Sequence, residues 1–356
     1  MKFKEINKTE ILATLGPTLS SKEEILVAIE KGVENFRVNI GKRNVDFFSY
    51  FQNVRDAGKE SKKPVEVLLD LPSSRPRTEN TVEIALEKDS AYIISGSKND
   101  CFVKKNVIPL PGIENYTQYL KKGERILFRD GSICFKISDV QEKTCDVVCE
   151  YANLPMKSMC SCYFPDSNDI FFEPFVEADT QVLGRFKEVG LIPDWIALSF
   201  ASSLEQLLST KEMLDKIWHG NDIKIMSKIE NKLGCDNLEQ LVVNSDGLMV
   251  ARGDLLLSVE PFELPWLQKE IVEICNKNKK VSVVATELMY QMAGTGIVNR
   301  AELSDIALAV RQNASAIMLA RESSNSRYSV ECIELAKSVI EFEFNNRMGS
   351  DALETD

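Results

Sequence analysis

Eight short runs of apolar and β-branched residues recur along this chain, each followed by a stretch of helical periodicity. That alternation restricts the fold more than any other feature. The runs lie in TEILATLG, ending near Thr14, NFRVNI near Asn39, VEVLLDL near Asp70 and DWIALSF near Ser199. They continue in IKIMSKIE near Lys228, DGLMVARGD near Arg252, VSVVAT near Thr286 and SAIMLARE near Ala320. They are apolar throughout rather than alternating, as parallel strands covered on both faces are. The intervening stretches are amphipathic. In SSKEEILVAIEKG, Ser21 and Glu24 form a capping-box pair, Ile25, Leu26 and Ile29 a buried stripe, and Gly32 a left-handed stop.

Eight strand–helix units predict an α/β fold, a (β/α)8 TIM barrel. An open three-layer sheet also uses parallel strands, but the even count and the position of the polar residues favour closure. One segment, 79–165, breaks the rhythm: ERILFRDGSICFKISDV and KTCDVVCEY alternate and turn back as hairpins do. It reads as a small all-β domain inserted after the third barrel strand. The barrel is then expected over 1–78 and 166–346, with a disordered acidic tail over 347–356.

Composition narrows the function classes. The formal net charge of −11 over 356 residues, without a basic patch, argues against nucleic acid and anionic membranes as partners. No apolar run is long enough to span a bilayer, and MKFKEINKTE lacks the apolar core of a secretory signal. Nine cysteines without disulfide spacing imply a reducing compartment, so a cytoplasmic location is expected. Cys160 and Cys162 are two apart, which matches no zinc pattern; buried strand positions explain them better.

In a barrel of this kind reactive groups sit at the C-terminal strand ends. Polar residues gather there: Thr14, Arg37, Asn39, Asp70, Arg77, Ser199, Lys228, Glu230, Asp254 and Thr286. Any one of them can be explained as a strand end meeting water. Lysine, two carboxylates and two arginines converging on one mouth cannot. Glu230 and Asp254 suit a hard divalent cation, Arg37 and Arg77 suit bidentate phosphate contacts, and Lys228 suits a phosphoryl group in transfer. The only histidine, His219, sits in the helix-end segment KIWHGND, a capping position rather than a catalytic one.

The same residues carry a family resemblance. SKIENKLGCDNL followed by SDGLMVARGDL is similar to the most distinctive stretch of pyruvate kinases. ATLGPTL, FRVNIG, LLDLPSSRPRT, ALSF, VVATELM and NRAELSDIA follow in the family's order from about residue 8 to 345, and RILFRDGSI resembles its inserted domain. The resemblance implies phosphoryl transfer between phosphoenolpyruvate and ADP, giving pyruvate and ATP. It implies that Glu230 and Asp254 ligate Mg2+ or Mn2+, and that Gly253 and Asp254 receive the substrate carboxylate, with Ser199 also on the substrate side. Lys228 would stabilise the phosphoryl in flight, and Thr286 would lie near the enolate carbon. Arg37 and Arg77 would hold phosphate, Thr14, Pro17 and Asn39 would line the nucleotide side, and the inserted domain would close as a lid.

The family's bound K+ is held by Asn, Ser, Asp and Thr; here those positions are Asn39, Gly41, Asp70 and Leu71. Arg75 stands where K+-requiring members have Glu, so its guanidinium is expected to replace the ion and make activity K+-independent. Other departures fall on the nucleotide and lid side: Pro72-Ser73, Arg129-Asp130, Cys160, Leu256 and Ala320-Arg321-Glu322-Ser323. They keep open a divergent kinase acting on another small hydroxy acid, and a catalytically silent binding or scaffold protein. The regulatory domain of many relatives is not in this sequence, so control through it is not expected. A homo-oligomer through the barrel is left open.

Overall fold

A computed structural model describes residues 8–41, 45–97, 106–167 and 170–351, of which 347–351 by backbone alone. The polar start before Lys8, Cys101 and the last five residues lie outside the described residues. The strands, in chain order, are β1 (Glu10–Thr14), β2 (Asn35–Asn39), β3 (Glu66–Leu71), β4 (Ala91–Ser95), β5 (Val107–Pro109), β6 (Arg125–Phe128) and β7 (Ile133–Val140). They continue as β8 (Thr144–Ala152), β9 (Cys162–Tyr163), β10 (Trp195–Leu198), β11 (Lys224–Ile229), β12 (Gly247–Ala251), β13 (Val281–Ala285) and β14 (Ala316–Leu319).

Contacts divide the chain into two compact units, 1–73 with 174–356 and the intervening 74–173. The first is a closed barrel in the order β1-β14-β13-β12-β11-β10-β3-β2, every neighbour parallel. The expected eight-stranded barrel is therefore present, interrupted after its third strand.

Side-chain alternation sorts each barrel strand into two faces. Leu12, Leu68, Trp195, Ala197, Met226, Met249, Val283, Ala285, Ala316 and Met318 pack with one another in one buried cluster inside the barrel. Their strand neighbours Ile11, Ala13, Val67, Leu69, Ile196, Ile225, Leu248, Val250, Val284 and Ile317 belong to the other cluster, shared with the helices. Burial on both faces explains why the runs are apolar throughout.

The helices seal the outer layer. Lys22–Glu30 starts at Ser21, whose side chain accepts from Glu24 N–H while Glu24 Oε2 accepts from Ser21 N–H, and the chain leaves through Gly32 at φ +92°. In Glu177–Glu188, Phe186 meets Phe48 of the helix Phe47–Ser61 with ring centroids 4.4 Å apart. The last helix runs Ser329–Asp351, so residues 347–351 are helical where a disordered tail was expected. Among the described residues no helix is long and apolar enough to cross a membrane.

The second unit is a six-stranded sheet in the order β5-β4-β8-β7-β6-β9, antiparallel except between β4 and β5. It begins at residue 74 and ends at 173, wider than the 79–165 read from sequence. The reason is local bonding. Thr78 Oγ1 donates to Lys157 O and accepts from Cys160 N–H, Cys162 N–H donates to Pro76 O, and Arg77 bridges Ser161. At the other end Asp166 takes both the backbone N–H and the guanidinium of Arg125, and Phe172 packs on Tyr116. Ser74 and Glu173 close the neck: Ser74 N–H donates to Glu173 O at 2.8 Å, and Glu173 N–H donates to Ser74 Oγ at 2.7 Å. Cys134, Cys145, Cys149 and Cys162 are buried on these strands, and burial pushes the Cys162 thiol up to about 12.

Gly247 opens β12 where the barrel leaves no room for a side chain: a Cβ there would stand 2.8 Å from Val281 O and 2.9 Å from Met226 Cε. Gly247→Ala is expected to destabilise the barrel by about 1–3 kcal/mol through overpacking. The readout is a lower urea midpoint at constant slope; an unchanged midpoint would contradict this close approach.

Candidate active site

The alternation that fills the barrel also builds its mouth. Two residues beyond an interior apolar position the next side chain on the same face is polar: Leu12 leads to Thr14, Leu68 to Asp70, Ala197 to Ser199, and Met226 to Lys228 and then Glu230. On β2 the same face carries Asn35, Arg37 and Asn39, with Arg37 in register with Leu68 and Thr14. Apart from Asn35 at the start of β2, these lie toward the C-terminal strand ends.

Six of them form one connected network. Arg37 Nε donates to Asp70 Oδ2 at 2.7 Å and its Nη1 to Thr14 Oγ1 at 3.2 Å. Lys228 Nζ reaches Asp70 Oδ1 at 3.1 Å, Ser199 Oγ at 2.7 Å and Glu230 Oε1 at 3.1 Å, so three acceptors take its three donors. Ser199 passes its own proton to Leu71 O at 2.6 Å. Glu230 Oε2 accepts from Phe200 N–H at 2.7 Å. The whole set is buried; Asp70 is 2% exposed and Lys228 8%.

Burial alone would raise the Asp70 carboxyl and lower the Lys228 ammonium. The neighbouring charges win in both cases. Lys228 and Arg37 hold Asp70 below the ordinary carboxylate range, and Asp70 and Glu230 hold Lys228 above the ordinary lysine range.

A second group lies across the mouth. Gly253 and Asp254 fall in the short helix Arg252–Leu255 that follows β12, and Thr286 follows β13. Gly253 N–H donates to Thr286 Oγ1 at 3.0 Å. Glu230 and Asp254 thus stand at the ends of neighbouring strands, paired in register as Ile229 with Val250. Among the described residues no cluster of three or more metal-ligating side chains exists.

Other candidates fall elsewhere. Pro17 is exposed in the turn closed by Gly16 and Leu19. Asn39 Oδ1 accepts from Gly41 N–H at 3.0 Å, a turn-forming bond. Arg75 and Arg77 belong to the sheet unit, where both charges act to lower the Cys162 thiol. His219 ends the helix Leu204–Trp218 and is exposed, 3.4 Å from Asp215.

Two residues that the sequence placed in a substituted loop prove to tie the mouth together. Glu322 is 1% exposed and accepts from Ala320 and Met289 N–H at 2.8 and 3.1 Å. Ser323 donates to Thr14 O and accepts from Thr14 N–H, tying the ends of β14 and β1. The signal available was their place just past the apolar run AIML.

A closed parallel barrel with balanced cations and carboxylates at its C-terminal mouth defines an α/β-barrel enzyme suited to an anionic substrate. The family described as pyruvate kinase, barrel domain, matches residues 6–333. Pyruvate kinase of Thermotoga maritima is 29% identical over 339 residues, covering 94% of this chain and 70% of that one. Pyruvate kinase of Staphylococcus aureus strain MRSA252 is 29% identical over 338 residues, and the match spans 56% of its length. The crystal structure of a pyruvate kinase from Cryptosporidium parvum superposes with a TM-score of 0.82 at 25% identity, covering 94% of this chain and 69% of that one. The chain belongs to the pyruvate kinase family, and with it to the phosphotransferases.

Asp70→Asn removes one carboxylate from between two buried cations and is expected to cost about 3–5 kcal/mol. Because the folded Asp70 titrates below its unfolded value near 3.8, its contribution is complete above that pH and is lost as pH falls through the depressed value. Urea unfolding of both proteins from pH 7 to pH 2.5 should show their stabilities converging at the acid end; a constant gap would contradict the pairing.

Proposed function

We propose that this protein transfers the phosphoryl group of phosphoenolpyruvate to ADP. The P–O bond to the enol oxygen breaks, a β-phosphate oxygen of ADP forms the new one, and the enolate takes a proton at carbon to leave pyruvate and ATP. The observation that carries the reading is the buried Lys228 ammonium, fixed between Asp70, Ser199 and Glu230 at the barrel mouth. A phosphoryl in transfer spreads negative charge over three oxygens, and a preorganised cation in a dry site answers that charge without reorganising.

Arg37, held by Asp70 and Thr14, supplies a second fixed cation for phosphate. The Gly253–Asp254 turn is the place for the substrate carboxylate, with the Gly253 N–H itself held by Thr286 Oγ1 at 3.0 Å, and Thr286 stands at the carbon to be protonated. Thr14 and Pro17 fall on the nucleotide side.

A divalent cation, Mg2+ or Mn2+, fits the donor set. Glu230 follows β11 and Asp254 lies in the short helix after the neighbouring β12, and carboxylate oxygens are the donors a hard divalent cation takes. Glu230 and Asp254 would hold it, and when bound it would polarise phosphate and carboxylate oxygens. A monovalent ion is not needed on this reading. Asp70 has both oxygens engaged, Oδ2 by Arg37 and Oδ1 by Lys228, and Gly41 and Leu71 bring no side-chain oxygen.

The substituted loop Ala320-Arg321-Glu322-Ser323 favours one second reading, a kinase of another small hydroxy acid. Coupling phosphoenolpyruvate and ADP turnover to lactate dehydrogenase separates the two, since robust pyruvate formation rejects the second. Lys228→Met should then lower kcat by about 10²- to 10³-fold with phosphoenolpyruvate binding retained; a changed KM at constant kcat would contradict the role. Replacing K+ by tetramethylammonium should leave turnover within a factor of two, and a manyfold rise with K+ would overturn the K+-independent reading.

A further inference from the structure

Resting on the reading above, we infer that Arg252 is a positioning residue: its guanidinium holds the turn after β13 in a strained conformation that aims the Thr286 hydroxyl into the mouth. Arg252 itself faces away from the Lys228 network. It begins the helix after β12 and its side chain is 12% exposed. Nε donates to Ala285 O at 3.1 Å and Nη2 to Thr286 O at 2.6 Å. Nη1 is anchored by Asp305 Oδ1 at 2.7 Å and Gln268 Oε1 at 3.3 Å. One planar fork thus grips two successive carbonyls while a carboxylate fixes its other end, a task the single-point ammonium of lysine cannot do.

What it grips is unusual backbone. Thr286 has φ +73° and Glu287 φ +54°. The left-handed region is disfavoured for a β-branched residue and persists only where surroundings impose it. The exit of the turn is held as well, by Glu322, which accepts from Met289 N–H. Strain here has a geometric result. The Thr286 hydroxyl carries one donor and two acceptor sites, and Gly253 N–H occupies one acceptor at 3.0 Å. A Cβ on Gly253 would stand 3.6 Å from that oxygen, so the helix and the turn are in van der Waals contact. With the oxygen fixed, the hydroxyl proton is confined to directions away from Gly253. Arg252 therefore acts through Thr286 on the substrate carbon, without touching substrate.

The test is a double-mutant cycle on the full chain with phosphoenolpyruvate, ADP and Mg2+. Arg252→Lys should lower kcat by about 10²-fold, the scale of a misplaced catalytic group, with both KM values within threefold. In the Thr286→Ala background the same change should cost less than threefold, because the group it positions is gone. Equal losses in both backgrounds overturn the inference, as does an unchanged kcat per folded molecule. Should Arg252→Lys fail to fold, Asp305→Asn loosens the same guanidinium and enters the same cycle. If the unaltered protein shows no turnover, the proposed function has failed and the inference is judged by crystallography of Asp305→Asn. Thr286 leaving the left-handed region, or its hydroxyl leaving Gly253 N–H, supports it; an unchanged turn overturns it.

Discussion

The ammonium of Lys228 decides how the mouth of this barrel can be arranged. A lysine this buried loses its hydration and would shed its proton unless fixed partners replaced the water. Here Asp70, Ser199 and Glu230 supply three acceptors from three different strand ends, and Arg37 returns the second positive charge that Asp70 requires. Exchanging any one of the four charged groups leaves its buried partners with less compensating charge, at a cost in stability. The barrel is what makes such a set affordable: parallel strands deliver one inward side chain each to the same height, from segments more than a hundred residues apart.

Charge balance inside the mouth also separates the site from the bulk electrostatics. The chain carries a formal charge of −11, which by itself would disfavour a multiply anionic substrate. At physiological ionic strength exposed charges are screened beyond about 8 Å, whereas Lys228 and Arg37 act from within the protein at direct contact. At the mouth the local set of fixed charges, Lys228 and Arg37 against Asp70 and Glu230, therefore outweighs the net charge of the chain.

Much of this was readable from sequence because it follows from alternation. Met226, Lys228 and Glu230 share one face of β11, and Leu68 and Asp70 one face of β3, so polar residues ending an apolar run were bound to meet at the mouth. The capping pair Ser21–Glu24 and the left-handed Gly32 were equally local, and so equally legible. What could not be read were features set by long-range bonding. The limits of the inserted sheet moved outward because Thr78 and Asp166 bond within it, and Arg77 went with it. Arg252 gave no sign of its role, since an arginine after a strand is uninformative until Ala285, Thr286 and Asp305 are seen around it.

Left-handed residues show where local preference was overruled. Several sit where they are expected: Lys62, Lys279 and Asn313 follow the C-terminal ends of helices, a conformation that closes the last turn. Ser73, Phe200, Thr286 and Glu287 do not. Each follows the C-terminal end of a barrel strand, β3, β10 or β13, and none is the glycine that would adopt the conformation without cost. At Phe200 the result is visible, because its N–H donates to Glu230 and so completes the shell around the Lys228 ion pair. At Thr286 it is the hydroxyl lodged against Gly253 N–H. The strain is concentrated on the rim where polar groups must be aimed, while the apolar layers below, from Leu12 to Met318, hold the strands that bear it.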